Sequence, residues 1–184
     1  IGRDTKEIEN NRVKQLGVKI AIFNVVDVSN PKVLDDYIIG DSSTQSEALY
    51  NHKAFFFDKS RNVLSIPISA DVESLDNLTS SKMFAPEYNR WSGFYIFDLD
   101  TQNGIDMKGT ITHSDSDTKY YGMNNARTFY IDDVLYTASQ GYLKMNSFDE
   151  LDEINSIKLE NTGKFIEYFG EETVSIEPMP EPIR

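Results

Sequence analysis

The chain has no cysteine among its 184 residues. Disulfides, thiol nucleophiles and cysteine metal sites are excluded, while the redox compartment stays open. Basic residues are scarce: 18 Lys and Arg stand against 30 Asp and Glu, a formal charge of −12. Such a chain repels phosphate backbones, so nucleic acid is not an expected partner. No apolar run reaches the roughly 20 residues of a helical membrane span, and no stretch reads as a signal peptide. The first residue is Ile1 rather than methionine. The chain is therefore expected to be a processed product or a piece of a longer one. Sustained helical periodicity is missing too, apart from short pieces in the N-terminal segment and at "DELDEI". There is no serine in a nucleophile elbow, no Gly-rich phosphate loop, no metalloprotease histidine pair and no dinucleotide fingerprint.

What is present is strand material. Apolar residues make up 39% of the chain and aromatics 12%, enough to build a core. Tyr and Phe dominate the aromatics, and Val, Ile and Thr are frequent, which suits a pleated surface. The run "VKIAIFNVVDVSNPKVLDDYIIG" reads as a hairpin turning at Asn30 and Pro31. "GFYIFDLDTQNGIDMKGTITH" from Gly93 and "GYLKMNSFDELDEINSIKL" from Gly141 repeat the pattern. The pairs Phe23-Asn24, Phe97-Asp98 and Met145-Asn146 mark the repeat, 74 and 48 residues apart. The second spacing matches the roughly 40 to 50 residues of a propeller blade, and the first carries an insertion at Asp71 to Arg90.

Between these hairpins, "NHKAFFFDKSRNVLSIPIS" aligns with "NNARTFYIDDVLYTASQ". Each has aromatic residues ending in Asp, a turn, and an apolar run. "LSIPIS" and "LYTASQ" read as inner strands, with the missing N–H of Pro67 facing a channel. "AFFFD" reads as the outer strand of the preceding unit. Residues 1–16 form a polar lead-in, the end of a strand followed by a loop or short helix. Residues 17–160 form the blades, and residues 161–184 a C-terminal strand or strands and an extended tail. The fold class expected is all-β: a partial β-propeller of about two and a half four-stranded blades.

The segments "DVSNPK", "SEALYNHKAF" and "DDVLYT" carry a family likeness. With the hairpins around them, residues 17–160 resemble the secreted archaeal and bacterial proteins with a C-terminal β-propeller domain distantly related to WD repeats. The resemblance implies a propeller fold and an extracytoplasmic location, and it supplies no catalytic residues. It also implies that the remaining blades lie on a longer chain or a second fragment, because a closed propeller needs at least four.

Few residues suggest chemistry. His52 reads as a strand or corner residue rather than a base, since catalysis needs positioned partners. His113, Asp115 and Asp117 alternate along one run and offer a hard-cation site suited to Ca²⁺; no other cofactor is expected. Asp35, Asp36 and Asp41 cluster, but adjacent Asp35 and Asp36 face opposite sides of a strand and make no catalytic pair. Asn77-Leu78-Thr79 is a glycosylation sequon. Tyr88, Arg90, Trp91 and Tyr95 combine the residue types that dominate recognition surfaces. The expected function is a non-enzymatic, extracytoplasmic propeller module binding a protein or cell-envelope ligand. The rival is a hydrolase or lyase with its site in the channel, completed by blades outside this chain; a cation-binding scaffold is a third reading.

Overall fold

Alternating apolar residues and tight turns generate strands almost throughout. The computed structural model describes residues 1–10, 12–71, 90–114 and 123–159. The described strands are β1 (Gly2–Ile8), β2 (Arg12–Asn24), β3 (Lys32–Ile39), β4 (Phe56–Asp58), β5 (Val63–Asp71), β6 (Arg90–Asp100), β7 (Gly104–Thr112), β8 (Arg127–Ile131), β9 (Val134–Ala138), β10 (Tyr142–Ser147) and β11 (Glu153–Lys158). They form three antiparallel sheets: β1-β2-β3, β4-β5-β6-β7 and β11-β10-β9-β8. The expected all-β partial propeller is the observed architecture. Only single-turn 3₁₀ helices, Glu47–Leu49 and His52–Ala54, interrupt the described strands.

Successive residues of β5 and β6 point to opposite faces of their sheet and enter two cores. Leu64, Ile66, Ile68, Tyr95 and Phe97 of the second sheet meet Val18, Ile20 and Ile39 of the first. The opposite face, with Val63, Phe94, Ile96 and Ile111, meets Leu135 and Phe148 of the third. Both faces of the second sheet are thus dry, which is why its strands read as continuous apolar runs rather than alternating ones. Full burial of each such side chain contributes about 1.5–3 kcal/mol. At one edge the short strands β4 and β8 lie against each other, so the second and third sheets converge there.

Four expectations are corrected. Residues 2–8 and 12–16 are strand, not lead-in loop or helix: β1 pairs with β2 from Ile8↔Arg12 to Gly2↔Lys19. "DELDEI" holds a turn and the start of β11, not a helix. Phe56–Asp58 is not the outer strand of a preceding sheet, because it pairs with Val63–Ser65 in its own sheet. β5 and β9 are consequently second in order, and the inner edge belongs to β4 and β8. Pro67 is tolerated for a local reason. β4 ends its pairing at Ser65, and Gln45 bridges to Ser69, so the edge of β5 is unpaired between them at Pro67.

The fourth correction is one of register. Each sheet has a bulge in its outermost strand pair, between Ile22/Phe23, Ile96/Phe97 and Met145/Asn146. The bulge makes Asn146, not Met145, the counterpart of Phe23 and Phe97. A one-residue slip exchanges faces: Phe97 and Asn146 look toward the preceding sheet, and Met145 looks away. The insertion lies between β5 and β6, whose ends Asp71 and Arg90 pair. Its interior, residues 72–89, and the tail from residue 160 lie outside the described residues.

Candidate functional site

Arg90 opens β6, and its guanidinium is engaged in several directions. Nη1 donates to Asp71 Oδ1 at 2.9 Å, and Nη2 donates to the carbonyls of Ser43 and Ser69, both at 3.2 Å. It closes the ends of β5 and β6 and ties them to the 41–45 loop. Trp91 Nε1 donates to Thr112 Oγ1 at 3.1 Å, and its ring meets Tyr95 edge-on at 5.5 Å. Tyr95 stacks on Phe97 and is only 4% exposed. Burial, followed by the neighbouring Tyr37, pushes its hydroxyl up to about 12. The expected recognition patch is therefore corrected: Trp91 and Tyr95 pack the interface between the first two sheets. Tyr88 lies outside the described residues, as does Asn77.

His113 follows β7 and is fully buried between the second and third sheets. Nδ1 lies 2.8 Å from Ser139 Oγ and Nε2 lies 2.8 Å from Thr137 Oγ1. The tautomer follows from the partners. Ser139 Oγ already accepts the N–H groups of Gly141 at 3.3 Å and Tyr142 at 3.2 Å. Both its lone pairs are used, so its O–H donates to Nδ1, and Nε2–H donates to Thr137. Phe94 covers the ring at 5.0 Å. Desolvation, reinforced by Lys144 and opposed by Glu153, drops the imidazole to about 3. The ring is a neutral interface residue whose two nitrogens both face hydroxyls, so His113 is not available to the cation site expected there. Asp115 and Asp117 lie outside the described residues. Among the described residues no three His, Asp or Glu side chains group as a metal site.

The acidic cluster is likewise structural. Asp35 Oδ2 accepts the Ile105 N–H at 2.8 Å, joining the first sheet to β7. Asp36 pairs with Lys19 at 2.8 Å, and Asp41 Oδ1 accepts the Ser43 N–H at 2.8 Å. His52 is exposed at the start of the second 3₁₀ turn, whose N-cap is Asn51.

Two residues escaped sequence reasoning. Glu47 is 6% exposed, and its carboxylate accepts Ala126 N–H at 2.8 Å and the Asn51 side-chain amide. Arg127 Nη1 stands 3.5 Å from it. The only local signal was the Glu47/Asn51 spacing after the Ser46 cap; the Ala126 contact is 79 residues away. Arg61, on the β4–β5 turn, donates to the Asp132 carbonyl at 3.0 Å. Its guanidinium lies 4.3 Å from the Tyr130 ring centre and 4.5 Å from that of Phe148, cross-linking two sheets by cation–π contacts.

Asp35, His113, Glu47 and Arg61 are thus engaged in contacts from one sheet to another, and Arg90, Asp36 and Asp41 in contacts within a sheet or loop. The family comparison agrees with this architecture: residues 1–151 match the model of the beta propeller domain. The chain belongs to the beta propeller domain family. Its sheets are propeller blades, a three-stranded one followed by two four-stranded ones. No curated protein and no solved structure matches the chain. Solvent-facing aromatic groups of this propeller include two on the connector between the first and second blades. Tyr50 is 75% exposed and Phe55 38%, with exposed His52 between them. Ser46 and Asn51 cap the two 3₁₀ turns that present them, and buried Glu47 anchors the first of these turns to the third blade.

Proposed function

We propose that this chain is part of a non-enzymatic, extracytoplasmic propeller that binds a protein or cell-envelope ligand, in a ring completed by blades outside these three. The observation that carries the reading is the exposed group Tyr50, His52 and Phe55 on an anchored connector. Aromatic side chains held on a rigid support bind partners at small entropic cost, and they recur at binding hot spots. The groups with catalytic capacity support the same reading: His113 is neutral and sealed, and Arg90 is engaged in closing a strand pair. The Asn77-Leu78-Thr79 sequon supports an extracytoplasmic setting.

The test is retention of the chain on immobilised cell-envelope fractions of its source, with the Tyr50→Ala/Phe55→Ala variant beside it. Specific retention by the parent chain and at least a tenfold loss in the variant are expected, the order of two hot-spot truncations. No retention of the parent, or equal retention of both, sinks the assignment.

A further inference from the structure

The turn between β6 and β7 holds the one Asn-Gly step in the sequence, Asn103-Gly104. Thr101, Gln102 and Asn103 are exposed at its tip. Asp100 Oδ1 fixes the main chain there, accepting the N–H groups of Gln102 at 2.6 Å and Asn103 at 2.8 Å. The side-chain amide of Asn103 has no hydrogen-bond partner among the described residues. It lies open to water beside the nitrogen of Gly104, a residue with no Cβ to shield that atom. Each other asparagine is followed by a residue whose side chain crowds the nitrogen, and Asn30 precedes Pro31, which has no N–H.

These groups are the reactants of succinimide formation, the chemistry that makes asparagine a thermolabile residue. The main-chain nitrogen of Gly104 adds to Cγ of Asn103 and gives up its proton to hydroxide. The side-chain nitrogen leaves as ammonia, and a cyclic imide closes. Water then adds to one of the two imide carbonyls and opens the ring. One opening gives aspartate at position 103. The other gives isoaspartate, in which the main chain runs through the former side-chain carbonyl. One water is consumed and one ammonia released, and no electrons are exchanged.

We propose that Asn103 is a self-modification site of this chain, and that its conversion weakens the joint between the first and second blades. Asp35 of the first blade makes that joint. Its Oδ2 accepts the Ile105 N–H at 2.8 Å and lies against Gly104 where a Cβ would stand. Either product adds a carboxylate to a turn that already holds Asp100 and touches Asp35, and like charges repel. Isoaspartate also lengthens the main chain by one bond of about 1.5 Å. The extra bond falls immediately before the glycine packed on Asp35, and the Ile105 N–H, one residue further on, loses its acceptor when the turn shifts. Neither the connector nor any blade outside these three enters the inference.

Ageing the full chain at neutral and at mildly alkaline pH, followed by peptide mapping with mass spectrometry, tests this. The same chain in guanidinium chloride serves as the unfolded reference. In the folded chain, position 103 is expected to convert ahead of every other asparagine, with ammonia released in step and isoaspartate in excess over aspartate. Conversion is expected to run faster at the alkaline pH, where more hydroxide is present to take the Gly104 proton. Asn103→Gln keeps an amide at an exposed position but would have to close a larger ring. That variant is expected to fold and to stay unmodified there. The aged parent is expected to lose denaturant midpoint, and the equally aged Asn103→Gln chain to keep its own. Another asparagine converting first in the folded chain overturns the proposal, as does conversion at position 103 only in guanidinium chloride. Conversion with an unmoved midpoint overturns the link to the blade joint, and so does an equal loss of midpoint in Asn103→Gln.

Discussion

Ser139 Oγ lies 2.8 Å from His113 Nδ1 in a buried site between the second and third blades, where desolvation keeps the imidazole neutral. A ring whose Nδ1 accepts and whose Nε2 donates is neutral. Protonation would leave Nδ1–H facing a hydroxyl with no lone pair to spare, in a site closed to water.

The stability of the chain should therefore depend on pH in a defined window. The folded-state value of His113 is about 3 against an ordinary 6.5, so the unfolded chain binds the proton that the folded chain refuses. The contribution is fully present above about pH 6.5 and is lost as pH falls toward 3. Between those limits the slope approaches about 1.4 kcal/mol per pH unit. The carboxyls of Asp41, Asp58, Asp100 and Glu153 are held low by hydrogen bonds, and they lose their contributions only as pH drops below their ordinary 3.8 to 4.5. Urea titrations from pH 7 to 5 isolate the histidine. His113→Gln should flatten the slope in that window while lowering stability at pH 7. An unchanged slope would refute the assignment.

Glu47 should matter more than any surface acid. Glu47→Ala leaves the Ala126 N–H and the Arg127 guanidinium without their carboxylate. The expected loss is about 1–3 kcal/mol, the range for leaving a buried donor such as the Ala126 N–H unsatisfied, because Arg127 is partly solvated and can turn to water. Glu47→Gln keeps one acceptor oxygen and should cost clearly less. Denaturant midpoints of the two variants decide this; equal costs would mean that charge and acceptor do not act as described.

Gly104 is required where β7 begins. Its φ is +93°, and an added Cβ would collide with Asp35 Oδ2. Gly104→Ala is expected to lower stability by more than 1 kcal/mol, through strain and through loss of the Asp35–Ile105 bond. Adding Asp35→Ala removes the collision with the carboxylate but restores neither the φ nor the Ile105 bond, so the double variant should recover little of the loss. Full recovery would show that backbone strain plays no role, and no loss at all would show that the turn adapts freely. Thermal melts measure both.

Much of this fold is visible in residue pattern alone. The hairpin at Asn30-Pro31, the paired segments ending in Asp58 and Asp132, and the insertion after Asp71 follow from alternation and turn chemistry. The site was less legible. Trp91 and Tyr95 carry the composition of a recognition surface, yet they fill an interface, because the same large amphipathic rings serve both purposes. His113 beside acidic residues resembles a ligand set until Thr137 and Ser139 are seen to take both nitrogens. Glu47 gives almost no local sign of its burial.

The sequence by itself determined that the chain is all β, built of repeated hairpins, without thiol chemistry and without a helical membrane span. Short-range periodicity and turn residues carry that information within a few positions. Tertiary structure alone decided strand order, bulge register, and which of two faces each side chain occupies. A strand's edge is defined by its partner, and a one-residue shift reverses its faces. Hence Pro67 sits beside a gap in pairing on the β4 side of its strand, and Asn146 rather than Met145 completes the repeat. Contacts such as Glu47 to Ala126, 79 residues apart, exist only once three sheets have stacked.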